Sequence, residues 1–178
     1  HSMVGAMAQV AIGQGLGKVE AGAFCAPMWG LPLGRVQRYF IWAMRVMGRS
    51  DDFAQKPGPP ERFEENVVTY DEAHWQLNRD LTDAAPELSL GPVTWGWLGA
   101  SLDIFNTISK PDVLKQIDIP VFVASAADEK LIDNGAHAHV ASHLPNCEHV
   151  TVEHAMHEIL MEKPDKRAAF WAGFDRML

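Results

Sequence analysis

Three short runs, two apolar and one alternating, bounded by Pro, Gly and Asp, dictate most of what this chain can fold into. Residues 19–28 read V-E-A-G-A-F-C-A-P-M, small and apolar and closed by Pro27. Residues 120–127 read P-V-F-V-A-S-A-A and begin on a proline, and residues 148–153 read E-H-V-T-V-E with period two. Runs of this length with such boundaries are strands of a largely buried parallel sheet. The segments between them carry the helical period. Val36, Tyr39, Phe40, Ala43, Met44 and Met47 fall on one helical face. Leu98, Leu102 and Phe105 mark a helix entered near Pro92, and Ala136, Val140 and Leu144 one capped by Asp133 or Asn134. Phe170, Trp171, Phe174, Met177 and Leu178 stripe a last helix that starts near Pro164-Asp165. Residues 5–12 predict an N-terminal helix stopping at Gly13-Gln14-Gly15.

The order helix, strand, helical insertion, strand, helix, strand, helix is an α/β signature. Residues 1–30 and 112–178 hold the strands and read as core. Residues 31–111 are helical, Trp-rich and broken by Lys56-Pro57-Gly58-Pro59-Pro60, and read as an inserted cap. Three strands are few for a doubly wound sheet. An open sheet edge invites pairing, so completion by further N-terminal strands or by another chain is expected. The opening His1-Ser2-Met3, without an initiator Met, fits a processed chain, an excised fragment or a truncated reading frame.

At 178 residues with 47% hydrophobic and 21% charged side chains, the composition excludes disorder and fibre. The formal charge of −8 repels nucleic acid and anionic membrane, and no local basic patch offsets it; Arg35, Arg38, Arg45 and Arg49 spread around one helix. Cys25 and Cys147 do not make a disulfide framework, and Cys25 reads as an inert core thiol. No apolar run approaches the ~18 residues of a membrane span. No basic n-region of a signal peptide is visible, and a cytoplasmic location is expected.

Chemistry concentrates where strands end, because ligands of open α/β sheets meet the loops at the strands' carboxyl ends. Asp128 follows the second run, and the His154–His157 loop follows the third. Ser2 stands before a glycine-containing turn into a helix. Ser, Asp, His is the chain order of the α/β-hydrolase nucleophile set.

At these residues the sequence resembles the C-terminal part of an α/β-hydrolase of the monoacylglycerol lipase and bacterial lysophospholipase (serine aminopeptidase-like) family. His1-Ser2-Met3-Val4-Gly5 is similar to the family's G-H-S-M-G-G nucleophile turn, and Ala26-Pro27-Met28-Trp29-Gly30 to its A-P-M segment. Pro92-Val93-Thr94-Trp95-Gly96-Trp97 resembles a cap segment, Asp128 with Ile132-Asp133-Asn134 the acid loop, and Ala155-Met156-His157-Glu158-Ile159-Leu160 the histidine loop. The resemblance implies an α/β-hydrolase fold whose N-terminal strands are absent from this chain. It implies a serine hydrolase of carboxylic esters, with monoacylglycerol or lysophospholipid as substrate class. Ser2 would be nucleophile, His157 general base and Asp128 its orienting acid, and the Met3 backbone N–H an oxyanion donor. No metal or organic cofactor is implied. The partner is a small lipid or ester, with peripheral membrane contact through the cap.

Several residues carry second readings. An inactive fragment, or a peptidase or amidase on the same scaffold, remains open, because one site serves both esters and amides. Val4 replaces a family glycine and is expected to crowd the neighbouring strand or strain the turn. Asp133 reads as a helix cap and stands as alternative acid, and His154 as a rim residue. His139 and His143 read as a solvated helix face, and Gly13-Gln14-Gly15-Leu16-Gly17 as a flexible connection rather than a phosphate loop. Trp29, Trp95, Trp97 and Phe105 are expected to line an apolar substrate pocket.

Overall fold

A computed structural model describes residues 1–56, 58 and 62–177. The three runs become strands β1 (Gly22–Cys25), β2 (Val121–Ala126) and β3 (Cys147–Val152). They pair in parallel in the order β1-β2-β3, with Cys25 opposite Ala124 and Ala126 opposite Val152. β2 is central and buried at every position, as its unbroken apolar run requires. β1 is shorter than its run. Ala26 takes a φ of +40°, and Pro27 has no N–H to continue the ladder.

Helix α1 (Ser2–Gly13) precedes β1. It begins three residues ahead of the predicted start, because the Gly5 N–H closes the first turn onto the His1 carbonyl at 3.0 Å. Helices α2 (Arg35–Val46), α3 (Glu72–Ala84), α4 (Trp95–Ile108) and α5 (Pro111–Leu114) lie between β1 and β2. Among the described residues of this stretch there is no strand, only an isolated antiparallel bridge between Phe53 and Thr94. The proline break predicted at Pro57, Pro59 and Pro60 lies outside the described residues, as does Leu178 of the last apolar stripe. Asp71 caps α3 by accepting from the Ala73 and His74 N–H groups.

Helix α6 (Asn134–His143) joins β2 to β3, and α7 (Pro164–Met177) follows β3. Asp133 caps α6 through the Gly135 N–H at 2.8 Å. These helices cover opposite faces of the sheet. Phe122 of β2 packs edge-on against Phe170 of α7, whereas Ser125 bonds His137 of α6. An odd separation along a strand places two side chains on opposite faces. The core runs from Phe24 and Trp29 through Phe122 and Val123 to Phe170.

Candidate active site

The chain passes Ser2 as though it were the end of a further strand beside β1. Ser2 forms a parallel bridge with Pro27; its N–H donates to the Ala26 carbonyl at 3.1 Å, and its carbonyl accepts from Met28 at 2.9 Å. The chain then turns directly into α1. Ser2 takes a φ of +46°, a left-handed conformation for a non-glycine residue that the flanking hydrogen bonds hold in place. The close approach of α1 to the strand falls at Gly5, where an added Cβ would lie 2.9 Å from the Pro27 Cβ. It does not fall at Val4. That side chain is 64% exposed and crowds no strand.

His157 sits in the loop after β3, buried beside Ser2. Its Nε2 lies 2.9 Å from the Ser2 Oγ, and its Nδ1 lies 2.7 Å from the Glu129 Oε2. The acid on the imidazole is therefore Glu129, not Asp128. Asp128 ends β2 by donating its N–H to the Ala155 carbonyl, and its carboxylate accepts the Tyr70 hydroxyl at 3.0 Å. One residue further and one methylene longer, Glu129 reaches the ring. Its other oxygen accepts the Lys130 and Leu131 N–H groups at 2.9 and 2.7 Å. Burial pushes the Glu129 carboxyl up, but the His157 hydrogen bond and the loop N–H groups outweigh it, and the net shift is downward. Asp133, the alternative acid, is occupied as a cap, and His154 is an exposed loop residue with a φ of +52°.

The histidine loop is braced by groups that the sequence reading passed over. Buried Glu162 accepts from the Met156 N–H at 2.9 Å and from the Tyr70 N–H at 3.0 Å. The Glu158 N–H donates to the Val68 carbonyl at 2.8 Å, and the Thr69 hydroxyl to the Met161 carbonyl at 3.0 Å. Residues 66–71 thus strap the histidine loop and, through Tyr70, the acid loop. The clustered acids of H-E-I-L-M-E were the signal available for Glu162.

Met3 follows Ser2 in the first turn of α1, where helix geometry leaves backbone N–H groups without intrahelical partners. Trp97 of α4 stands over the Met3 side chain, its indole Nε1 3.2 Å from the Met3 sulfur. Trp95, on the same helix, lines an apolar cavity of about 460 Å³ with Leu33, Val36, Phe40, Val93 and Leu98. Trp29 and Phe105, also expected in the pocket, belong to the core instead. Trp29 packs on Phe24 and His137, and Phe105 is buried on α4.

His1 donates Nδ1–H to the Cys25 carbonyl at 2.9 Å and meets the Glu158 carboxylate through Nε2 at 3.0 Å. His1, His157 and Glu158 bring ligand-type atoms within 4.8 Å of one another. Both His1 nitrogens already face acceptors, so that ring has no lone pair left for a cation. His139 and His143 engage the Ser109 and His139 carbonyls.

A hydroxyl, an imidazole and a carboxylate in consecutive hydrogen bonds can move a proton off an attacking oxygen and hold the resulting charge. With parallel strands ending at that site and helices on both sheet faces, the molecule is an α/β-hydrolase. The chain belongs to the family described as "Serine aminopeptidase, S33", whose model matches residues 1–164. A probable lysophospholipase L2 of Haemophilus influenzae is 24% identical over 153 residues, 84% of this chain and 48% of the relative. A monoacylglycerol lipase of Paleococcus ferrophilus superposes with a TM-score of 0.72 at 11% identity, over 99% of this chain and 65% of that one. A soluble variant of the Saccharomyces cerevisiae monoglyceride lipase superposes with a TM-score of 0.68 at 14% identity, over 99% and 62%. The chain spans about half the length of its curated relative and under two thirds of these two structures. It corresponds to a C-terminal portion of the fold, as the sequence implied. No helix among the described residues is long and apolar enough to cross a membrane.

Proposed function

We propose that this chain carries the catalytic groups of a serine hydrolase acting on carboxylic esters with one fatty acyl chain, monoacylglycerols or lysophospholipids. Ser2 Oγ attacks the ester carbonyl while its proton passes to His157 Nε2, and Glu129 holds the imidazolium through Nδ1–H. The Met3 N–H donates to the oxyanion. The C–O bond to the alcohol breaks as His157 returns the proton to the leaving oxygen. Water, deprotonated by the same imidazole, then releases the fatty acid from Ser2. The observation that carries this reading is the pair of hydrogen bonds from His157, to Ser2 at 2.9 Å and to Glu129 at 2.7 Å.

The substrate class rests on the apolar cavity between α2 and α4 and on the activities named for the lysophospholipase and lipase relatives. The exposed face of α2 presents Val36, Phe40 and Val46. An amphipathic helix of that kind suits peripheral contact with a lipid surface, which is where such substrates reside. Two unbridged cysteines fit a reducing, cytoplasmic compartment. At the other side of the sheet, β1 pairs only with β2 among the described residues, so its outer edge is where further strands would dock.

A fluorophosphonate probe tests the reading, since Ser2 Oγ displaces fluoride at phosphorus only when its proton has an acceptor. Ser2 labelling of the folded chain, lost in Ser2→Ala, is the expected result. A folded chain that stays unlabelled marks the inactive-fragment reading as the correct one. An ester series from butyryl to dodecanoyl, run against aminoacyl amides, separates the lipase reading from the peptidase one.

A further inference from the structure

His1 and Glu158 flank the two reacting residues, one immediately before Ser2 and the other immediately after His157. Their side chains meet at 3.0 Å, 157 positions apart in sequence. The other His1 nitrogen lies 2.9 Å from the Cys25 carbonyl at the end of β1. A carbonyl and a carboxylate are both acceptors, so hydrogen-bond accounting requires both His1 nitrogens to carry protons. The His1 and His157 rings are tilted against each other with centroids 4.9 Å apart.

We propose that His1 is a permanent imidazolium that positions the site: paired with Glu158, it splints the nucleophile turn to the histidine loop and cancels the Glu158 charge beside the His157 ring. The inference rests on the hydrolase reading above and deepens it. Burial opposes the charge on His1, but its bonds to Cys25 and Glu158 overcome that, raising it to about 10; the Glu158 carboxyl is correspondingly held low. Every charged group around the two rings fits the assignment. His1 faces Glu158, the Cys25 carbonyl and His157; His157 faces Glu129, Ser2 and His1. Asp128 is turned away onto Tyr70. An unpaired carboxylate beside an imidazole favours a second proton on that imidazole, and the His1 charge cancels that field. The carboxylate of Glu158 keeps the pair neutral overall and gives His1 a reason to stay charged.

The test has two parts. In the folded chain labelled with 15N-histidine, one histidine should show both ring nitrogens protonated up to about pH 8, well above the ordinary His value of ~6.5. That signal should vanish in His1→Gln. A His1 that titrates like a free imidazole overturns the proposal, and this measurement is indifferent to whether Ser2 reacts. The second part follows Ser2 labelling against pH. His1→Gln removes the positive charge and leaves Glu158 unpaired beside the reacting residues, so the acidic limb of labelling should move to higher pH. The double variant His1→Gln/Glu158→Gln removes both charges and should bring the limb back toward the wild-type position. A merely structural role would slow labelling evenly at all pH values and worsen in the double variant, and either outcome overturns the proposal. Absence of labelling in the wild type, with the imidazolium signal present, would fail the hydrolase reading alone.

Discussion

Glu129 Oε2 lies 2.7 Å from His157 Nδ1, while Asp128, its neighbour in sequence, points at Tyr70. The assignment divides the two acids by function. Glu129→Gln keeps the shape but lets the amide present its NH2 to the ring, and it should lower the Ser2 labelling rate by about 10²–10⁴-fold. Asp128→Asn keeps an acceptor for the Tyr70 hydroxyl and should change the rate by less than about threefold. Rates measured side by side on folded variants decide it. An equal loss in both would return the acid role to Asp128.

The packing of α7 on the sheet depends on Gly173. An added Cβ there would lie 2.2 Å from the Phe122 Cε2, and that ring is fully buried on the central strand. With the ring unable to swing into solvent, Gly173→Ala should cost about 2–3 kcal/mol. At this chain length the melting temperature should fall by about 4–12 °C. Combining it with Phe122→Leu should recover part of the loss, because the smaller side chain clears the Cβ. Calorimetry of the two variants checks the pair.

Leu98 and Trp95 wall the apolar cavity from the same helix that carries Trp97 onto Met3. Leu98→Trp adds an indole to that volume. If acyl chains lie there, dodecanoyl esters should lose about tenfold or more in kcat/KM while butyryl esters change little, since each methylene excluded is worth about 0.8 kcal/mol. Uniform loss across the series would place the acyl site elsewhere.

The sheet was legible because a central parallel strand must be an apolar run with hard boundaries, as residues 120–127 are, and a strand with one face covered alternates with period two, as residues 148–153 do. The ends of β1 were not, because they depend on a φ of +40° at Ala26 that no apolar pattern announces. The meeting of Ser2 and His157 was readable from chain order and strand-end position. The carboxylate beside His157 was expected to be Asp128 and is Glu129, for a physical reason. Sequence marks the residue that follows a strand, but which of two adjacent carboxylates reaches an imidazole is set by side-chain length and by the competing Tyr70 hydroxyl from the cap. Trp29 and Phe105 were expected to line the pocket on aromatic character alone, which a core position satisfies equally well. The His1–Glu158 bond joins positions 157 apart and left no local signature at all.

The same pair makes stability depend on pH in a defined window. His1 is raised from 6.5 to about 10, so its contribution is full below 6.5 and declines as pH rises toward about 10. Glu158 is lowered from 4.5, so its contribution is full above 4.5 and is lost as pH falls through its depressed value. Stability from this pair should therefore be greatest between 4.5 and 6.5 and weaken on both sides. The alkaline side is read best below about pH 8.5, because thiols and phenols begin to ionise in the unfolded chain beyond it. Cys147, pushed up to about 11 by burial and Glu148, adds its own loss there. Between about pH 6 and pH 8 the wild-type melting temperature should fall relative to that of His1→Gln; burial holds His137 and His149 low, which acts the other way, but equally in both proteins. Glu158→Gln should flatten both sides of the optimum, since neither partner then gains a charge-dependent bond on folding. A difference between wild type and His1→Gln that stays level across this range would mean the His1 proton is not retained in the folded state.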